Sequence, residues 1–158
     1  MGQGLVKIGV LSDTHLRSAD ELPPDLVRAF SQVDLIVHTG DFTMLPVLEG
    51  LRRIGEVKAV RGNMDSEELK KVLPEKELLV LNGKRIGIIH GSGPPWGIEN
   101  RIRERFDQVD AILFGHTHLT KNEVIGGVLF FNPGQARNSY GILQIDDEVS
   151  GQIKRVLY

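Results

Sequence analysis

The stretch Ala111-Ile-Leu-Phe-Gly-His-Thr-His118 joins a short apolar run to two histidines that are separated by one residue. The apolar run has the length and composition of a buried strand, so the sequence predicts that the histidines close a strand. Side chains two residues apart on an extended chain point to the same side. Because imidazole is the commonest protein ligand for transition metals, the pair can offer two nitrogens to one site. On this stretch alone, two polar residues that simply end a strand are the favoured interpretation.

Four other apolar runs end in the same way, and this repetition changes the interpretation. The chain contains five histidines, and every one of them, including His38, lies at the end of an apolar run. Histidines placed at random on a surface would also occur in the charged helical segments, where none is found. The set therefore points to one site that binds metal. The side chains concerned are Asp13, His15, Asp41, Asn63, His90, His116 and His118.

The apolar runs alternate with segments that have helical periodicity. One helix is predicted to begin at Pro23-Pro24, a second carries Leu45 to Ile54 and stops at Gly55, and a third carries Ile98, Ile102 and Phe106. Residues 66–76 are interpreted as a polar link. The predicted strands are Val6–Leu11, Asp34–His38, Val57–Val60, Glu77–Leu81, Arg85–Ile89, Ala111–Phe114, Val124–Ile125, Val128–Phe131, Tyr140–Ile145 and Gln152–Leu157.

Two tight turns and the order of the elements indicate the fold class. Asn82-Gly83 and Gly126-Gly127 each separate two apolar arms, as in β-hairpins. Strands that alternate with helices early in the chain and follow one another later predict an α/β fold with mixed sheets and external helices. Right-handed crossovers place the carboxyl ends of the early strands along one edge, where ligands bind in open α/β sheets. The predicted metal ligands lie at this edge.

The composition limits the classes of protein to which the chain can belong. Its 158 residues predict a single domain, residues 1–158, with 41% hydrophobic and 25% charged residues and a net charge of −2. This charge gives no sign of a nucleic-acid partner. The lack of cysteine excludes disulfides, thiolate metal ligands and a cysteine nucleophile. Because no membrane span or secretory signal is recognisable, we expect the protein to act in the cytoplasm.

Five short motifs, in order, resemble those of the calcineurin-like metallophosphoesterases, and most closely their compact single-domain phosphodiesterase family. They are Asp13-Thr-His15, Gly40-Asp41, Gly62-Asn63, His90-Gly91 and Gly115-His-Thr-His118, with Asn132-Pro-Gly134 as a similar late turn. The resemblance covers essentially the whole chain. It implies a four-layer αββα sandwich with two facing mixed sheets and a dinuclear metal site at the strand carboxyl ends.

The resemblance also implies a division of the ligands between two metal ions. One ion takes Asp13, His15, Asp41 and His118, and the other takes Asp41, Asn63, His90 and His116, so that Asp41 bridges the two. Nitrogen and oxygen ligands without sulfur suit Mn²⁺, the first choice, with Fe, Zn²⁺ and Ni²⁺ as alternatives.

The activity implied is hydrolysis of a small or nucleotide-like phosphodiester by a hydroxide held between the metals. Asp41, Asn63 and His90 would be the catalytic residues. A protein-binding scaffold of the same fold, like the retromer subunit, is the alternative. The expected partner is a small-molecule phosphodiester, and the sequence leaves a homo-oligomer open.

For two residues near the motifs, His38 and Trp96, the sequence allows two interpretations each. Two others, Met64 and Asp65, concern a departure from the family's pattern. His38 does not match a ligand position, so it either supports the ligands or is a plain buried histidine. Trp96 either stacks on substrate or packs on neighbouring prolines. The family usually carries a histidine, thought to protonate the leaving group, where this chain has Met64. A thioether cannot donate a proton, and whether Asp65 replaces that histidine is left open.

Overall fold

The computed structural model describes residues 4–157 and forms ten strands and four α-helices within that range. The helices are α1 (Pro24–Phe30), α2 (Leu45–Ile54), α3 (Glu67–Val72) and α4 (Ile98–Arg103). The strands are β1 (Val6–Leu11), β2 (Leu35–His38), β3 (Val57–Ala59), β4 (Lys76–Leu81), β5 (Lys84–Ile89), β6 (Ala111–Leu113), β7 (Lys121–Ile125), β8 (Val128–Asn132), β9 (Ser139–Ile145) and β10 (Val149–Arg155).

The strands form two five-stranded sheets, both of which are mixed. The first has the order β10-β9-β1-β2-β3, in which β1, β2 and β3 run parallel and β9 is antiparallel to both β1 and β10. The second has the order β4-β5-β6-β8-β7, in which β5, β6 and β8 run parallel and the two edge strands are antiparallel to their neighbours. Each sheet therefore directs the carboxyl ends of three parallel strands to one edge.

The two sheets pack face to face because alternate residues of their central strands are apolar on the inner side. Ile8 and Val10 of β1 and Val37 of β2 share one buried cluster with Ile88 of β5 and Phe131 of β8. Such interdigitation of two inner faces forms the core of a sandwich.

Helices cover both outer faces of the sandwich. Leu26 of α1, Leu48 of α2 and Leu69 of α3 pack on the first sheet, whereas Ile98 and Ile102 of α4 pack on the second. The predicted four-layer αββα arrangement is confirmed. No helix within residues 4–157 has the length and apolar character that a membrane crossing requires.

Most predicted elements are present, but two differ from the prediction in an informative way. Helix α3 lies in the stretch interpreted as a polar link. It buries only Leu69, so hydrophobic periodicity gave no signal, although its Ser66 side chain accepts a hydrogen bond from the Leu69 backbone at 3.2 Å, as in a helix cap. Helix α4 ends at Arg103, so Phe106 packs from the loop that follows rather than from the helix.

Candidate metal centre

The predicted ligands lie in the loops that follow the parallel strands, and their backbone is unusual. Seven non-glycine residues in residues 4–157 have positive φ angles, and five of these are predicted metal ligands. A side chain in this left-handed region costs about 1–2 kcal/mol, and such strain clusters at functional sites. The five, with their φ angles, are Asp13 (52°), His15 (51°), Asp41 (62°), His116 (71°) and His118 (64°).

The histidine pair is not part of an extended strand, so the prediction that both side chains share one face is wrong. Strand β6 ends at Leu113, and the backbone of both histidines is left-handed. The ring of His118 lies beside His15, with 5.6 Å between centroids, whereas the ring of His116 lies 5.3 Å from that of His90. The pair therefore contributes to two neighbouring groups of side chains.

Asp13 is fully buried, and its two carboxylate oxygens have different surroundings. Oδ2 accepts hydrogen bonds from the Ser12 hydroxyl at 2.7 Å and from the His116 backbone N–H at 3.2 Å. Oδ1 has no hydrogen-bond donor among the described residues, yet it lies 3.5 Å from Nε2 of His118 and 3.9 Å from Nε2 of His90. Burial raises the pKa of the Asp13 carboxyl. A buried carboxylate oxygen of this kind stays ionised only when a cation neutralises it.

The orientation of the His90 ring is determined by a backbone carbonyl. Nδ1 lies 2.9 Å from the carbonyl oxygen of Thr39, which only accepts, so Nδ1 carries the proton. Nε2 then faces Oδ2 of Asp41 at 3.2 Å and Oδ1 of Asn63 at 3.1 Å. Three lone pairs converge there when the ring is neutral, and a proton or a metal ion would relieve their repulsion.

The charges of His90 and Asp41 depend on each other. Burial alone would lower the pKa of His90, but the hydrogen bond and negative charge of Asp41 outweigh burial and raise it. Burial would likewise raise the pKa of the Asp41 carboxyl, but His90 lowers it. The pair therefore favours a positive charge between its members, whether a proton or a metal supplies that charge.

Two groups of donor atoms are compact enough to hold an ion, and Asp13 belongs to both. Asp13, His15 and His118 form one group, and Asp13, Asp41 and His90 form the other; within each, the donor atoms lie within 4.8 Å of one another. Oδ1 of Asp41 accepts a hydrogen bond from the Met64 backbone at 2.8 Å, which leaves Oδ2 for a metal. Oδ1 keeps a second lone pair, so Asp41 can still offer both oxygens, and its role as the bridge stays a prediction.

His116 stands next to the second group rather than inside either one. Its Nε2 lies 2.9 Å from the carbonyl oxygen of Gly93, so Nε2 carries the proton and Nδ1 keeps its lone pair. Of the seven predicted ligands, the structure brings together Asp13, His15, Asp41, His90 and His118 directly and Asn63 through its contact with His90.

Asp65 connects two ligand loops, a role that sequence reasoning missed. Asp65 is 5% exposed. Oδ2 accepts from the backbone N–H groups of Gly62 at 2.7 Å and Asp41 at 3.1 Å, and Oδ1 accepts from that of Thr43 at 2.8 Å. Because both oxygens face backbone amides, Asp65 is not placed to protonate a leaving group. It joins the loop after β2 to the loop after β3.

Asn132 supports the histidine loop in a similar way. Its buried amide donates to the Gly115 carbonyl and to the Thr117 hydroxyl, both at 3.1 Å, and its oxygen accepts from the Gly134 N–H at 2.9 Å. The late Asn-Pro-Gly turn therefore holds the segment that carries His116 and His118.

His38 is a neutral, buried histidine that links the loop after β1 to the loop after β2. Burial lowers the pKa of its ring well below the usual value. Nδ1 accepts from the Gly40 N–H at 3.0 Å, so Nε2 carries the proton and donates to the Thr14 hydroxyl at 3.2 Å. The ring stacks on Phe42. Of the two interpretations left open by the sequence, these contacts favour support of the ligand loops.

Two glycines allow the ligand loops to approach one another. A Cβ at Gly62 would collide with the Asp41 carboxylate, and a Cβ at Gly115 would collide with Ser12 and Asp13. Together with the unpaired oxygen of Asp13 and a donor set of oxygens and imidazoles, this close approach fits divalent metal ions.

The comparisons with known proteins agree with this geometry. Residues 6–148 match the profile of the calcineurin-like phosphoesterase superfamily domain. The chain belongs to this superfamily. The resemblance inferred from the five motifs is confirmed.

Two relatives and one solved structure are similar to this chain. A protein of Methanocaldococcus jannaschii named "Probable metallophosphoesterase" is 42% identical over 135 residues, which are 83% of this chain and 68% of that protein. A phosphodiesterase of the same organism is 29% identical over 147 residues, 82% of this chain and 84% of its own. The structure of vacuolar protein sorting 29 from Cryptosporidium parvum has a TM-score of 0.79 at 21% identity, covering 97% and 98% of the two chains. The last likeness shows the fold alone.

Metal affinity should depend on pH through His90. Because the pKa of His90 is raised, a proton competes with metal for Nε2 at a higher pH than in an ordinary histidine. As the pH is lowered, we expect the apparent affinity for Mn²⁺ to start falling before the pH reaches ~6.5, the ordinary histidine value, and to continue falling below that pH. Calorimetric titrations between pH 5.5 and 8.5 would measure this; an affinity that stays constant down to pH 5.5 would contradict it.

Asp65→Asn should weaken metal binding without removing a ligand. The amide group replaces one acceptor oxygen with a donor that faces a backbone N–H, so the two loops lose part of their connection. We expect metal affinity to fall by about 10-fold or more, as when partners of metal ligands are changed. Asp147→Asn, an exposed carboxylate far along the chain, is the matched control. Equal metal affinity in both variants would show that Asp65 does not position the ligands.

Proposed function

We propose that this protein is a divalent-metal-dependent phosphodiesterase that hydrolyses small or nucleotide-like phosphodiesters. The observation that carries the proposal is the buried Oδ1 of Asp13, which has no hydrogen-bond donor within residues 4–157 and faces the ring nitrogens of His90 and His118. Membership of the superfamily and the relative named a phosphodiesterase support the reaction class.

The proposed site would hold two ions with the side chains assigned from the sequence. Asp13, His15 and His118 would hold one, and His90, Asn63 and His116 would hold the other, with Asp41 between them. Two bound divalent ions supply an acidified water near neutral pH and neutralise charge on phosphoryl oxygens.

The chain itself orients the groups around the substrate. The Thr39 carbonyl holds the His90 ring so that Nε2 faces Asp41 and Asn63, and the Gly93 carbonyl holds Nε2 of His116, which leaves Nδ1 of that ring with its lone pair. Asn63 and His90 also line a cavity of about 620 Å³. This volume is within the range of pockets that bind small molecules.

A protein-binding scaffold is the second candidate, and the likeness in fold to vacuolar protein sorting 29 is compatible with it. All seven positions that match the family's metal ligands carry a suitable residue in this chain, which supports the enzyme instead. Metal-dependent turnover would distinguish the two functions.

The direct test is hydrolysis by metal-stripped protein after addition of Mn²⁺, Fe²⁺, Zn²⁺ or Ni²⁺. We expect turnover of bis(p-nitrophenyl) phosphate that requires added metal and exceeds turnover of p-nitrophenyl phosphate. Asp41→Asn should abolish this turnover, because the variant removes a negative charge from the atoms that would bind the metal. Asp147→Asn should leave the turnover unchanged. No turnover with any metal would favour the scaffold, and equal turnover of monoester would contradict the preference for diesters.

The rate should depend steeply on the leaving group. Met64 cannot donate a proton and is 59% exposed, while both oxygens of Asp65 accept from backbone amides. A departing oxygen must therefore be stable in itself or bind metal. A positioned general acid is worth about 10²–10⁴-fold, so nitrophenyl esters should react far faster than alkyl esters.

Met64→His should raise the rate for alkyl leaving groups by part of this factor and should change the rate for nitrophenyl esters little. Rates across diesters of increasing leaving-group pKa would measure the effect, with Met44→His as a control at another exposed methionine. A flat dependence in the unaltered protein, with the chemical step rate-limiting, would mean that a general acid acts from elsewhere.

A further inference from the structure

The cavity beside Asn63 and His90 is strongly basic, although the chain as a whole is acidic. Four cations line it together with a single carboxylate, Glu75, whereas the net charge of the chain is −2. The cations are Arg61, Lys70, Arg101 and Arg105. A cleft lined by one sign of charge concentrates ligands of the opposite sign.

Two of the four cations build the wall of the cavity. Arg105 forms an ion pair with Glu75 at 2.9 Å. Arg101 donates to the carbonyl groups of Ser92, Pro94 and Trp96, and so holds the loop that precedes α4. The same loop offers the Gly93 carbonyl to His116. Trp96 itself is 78% exposed, which leaves little of its surface to pack on the neighbouring prolines.

The other two cations keep donors for a ligand. Lys70 has a single ion pair among the described residues, with Glu67 at 3.9 Å, which is too long for a hydrogen bond. Arg61 uses Nη1 to donate to the Leu73 carbonyl at 3.2 Å, and most of its guanidinium donors have no such partner in the described part of the chain. An Arg and a Lys together suit a phosphate group.

The lining residues also exclude one mode of recognition. The apolar side chains of the cavity, Ile89 and Ile102, are aliphatic, and the only ring among the lining residues, that of His90, belongs to the candidate metal centre. Base stacking of the kind that aromatic platforms provide is therefore not available there. The cavity can therefore recognise a ligand by its negative charge.

We infer that the cavity is a subsite for a second phosphate group of the substrate, held by Lys70 and Arg61 while the diester lies at Asn63 and His90. The inference rests on the proposed function and narrows it. The preferred substrates are phosphodiesters whose alcohol part carries a further phosphate, as in a phosphorylated nucleoside.

Two nitrophenyl esters that differ by one phosphate test this inference. They are the p-nitrophenyl ester of thymidine 5′-phosphate with and without a 3′-phosphate. We expect the additional phosphate to lower KM by about fivefold or more, as expected for about 1 kcal/mol from partly exposed charges, with kcat little changed. Lys70→Gln should reduce this advantage, whereas Lys71→Gln, exposed on the same helix and outside the cavity, should preserve it.

A binding measurement keeps this inference separate from the proposed activity. Calorimetry on the metal-free protein should give tighter binding of thymidine 3′,5′-bisphosphate than of thymidine 5′-phosphate, and Lys70→Gln should reduce the difference. Tighter bisphosphate binding without hydrolysis of any diester would support the subsite and refute the phosphodiesterase. Hydrolysis with equal KM for both esters, or an advantage that Lys70→Gln leaves intact, would overturn the subsite.

Discussion

The carboxylate of Asp13 lies in the protein interior with its two oxygens in different situations. Oδ2 is fixed by the Ser12 hydroxyl and the His116 backbone, whereas Oδ1 is aimed at imidazole nitrogens and has no hydrogen-bond donor in residues 4–157. Leaving such a group uncompensated costs far more than a lost surface contact. The surrounding loops are therefore arranged around a position that a cation would occupy.

Holding those loops in place requires compensation for strained backbone. Five predicted ligands have left-handed φ angles, each at a cost of about 1–2 kcal/mol, against a typical net stability of about 5–15 kcal/mol for a whole domain. The compensation comes from buried hydrogen bonds that join one loop to the next. Asp65, His38 and Asn132 each connect loops from different strands, and none of them is a predicted ligand.

The two carbonyl groups that orient His90 and His116 add a second constraint. Each accepts from one ring nitrogen and so directs the lone pair of the other. A metal ligand needs this kind of support to hold its tautomer. Because the Gly93 carbonyl belongs to the loop that Arg101 holds, the basic cavity and the candidate metal centre share one structural element.

Strand positions could be predicted from the sequence because apolar runs and the Asn82-Gly83 turn depend on local pattern. The same pattern predicted the candidate ligands, since polar residues at the carboxyl ends of parallel strands meet at one edge. Helix α3 could not be predicted from hydrophobic periodicity because it buries a single residue, Leu69. The role of Asp65 could not be predicted because its partners are backbone amides from Asp41, Thr43 and Gly62, which only the folded chain brings together.

Anomalous diffraction from crystals grown with Mn²⁺ tests the central claim most directly. We expect two peaks per chain: one coordinated by Oδ1 of Asp13 with His15 and His118, and one by Nε2 of His90 with Asn63. The Nδ1 of His90 should remain on the Thr39 carbonyl. No peak at Asp13, or an ion bound through Nδ1 of His90, would contradict the conclusion that these buried donors are arranged for divalent metal ions.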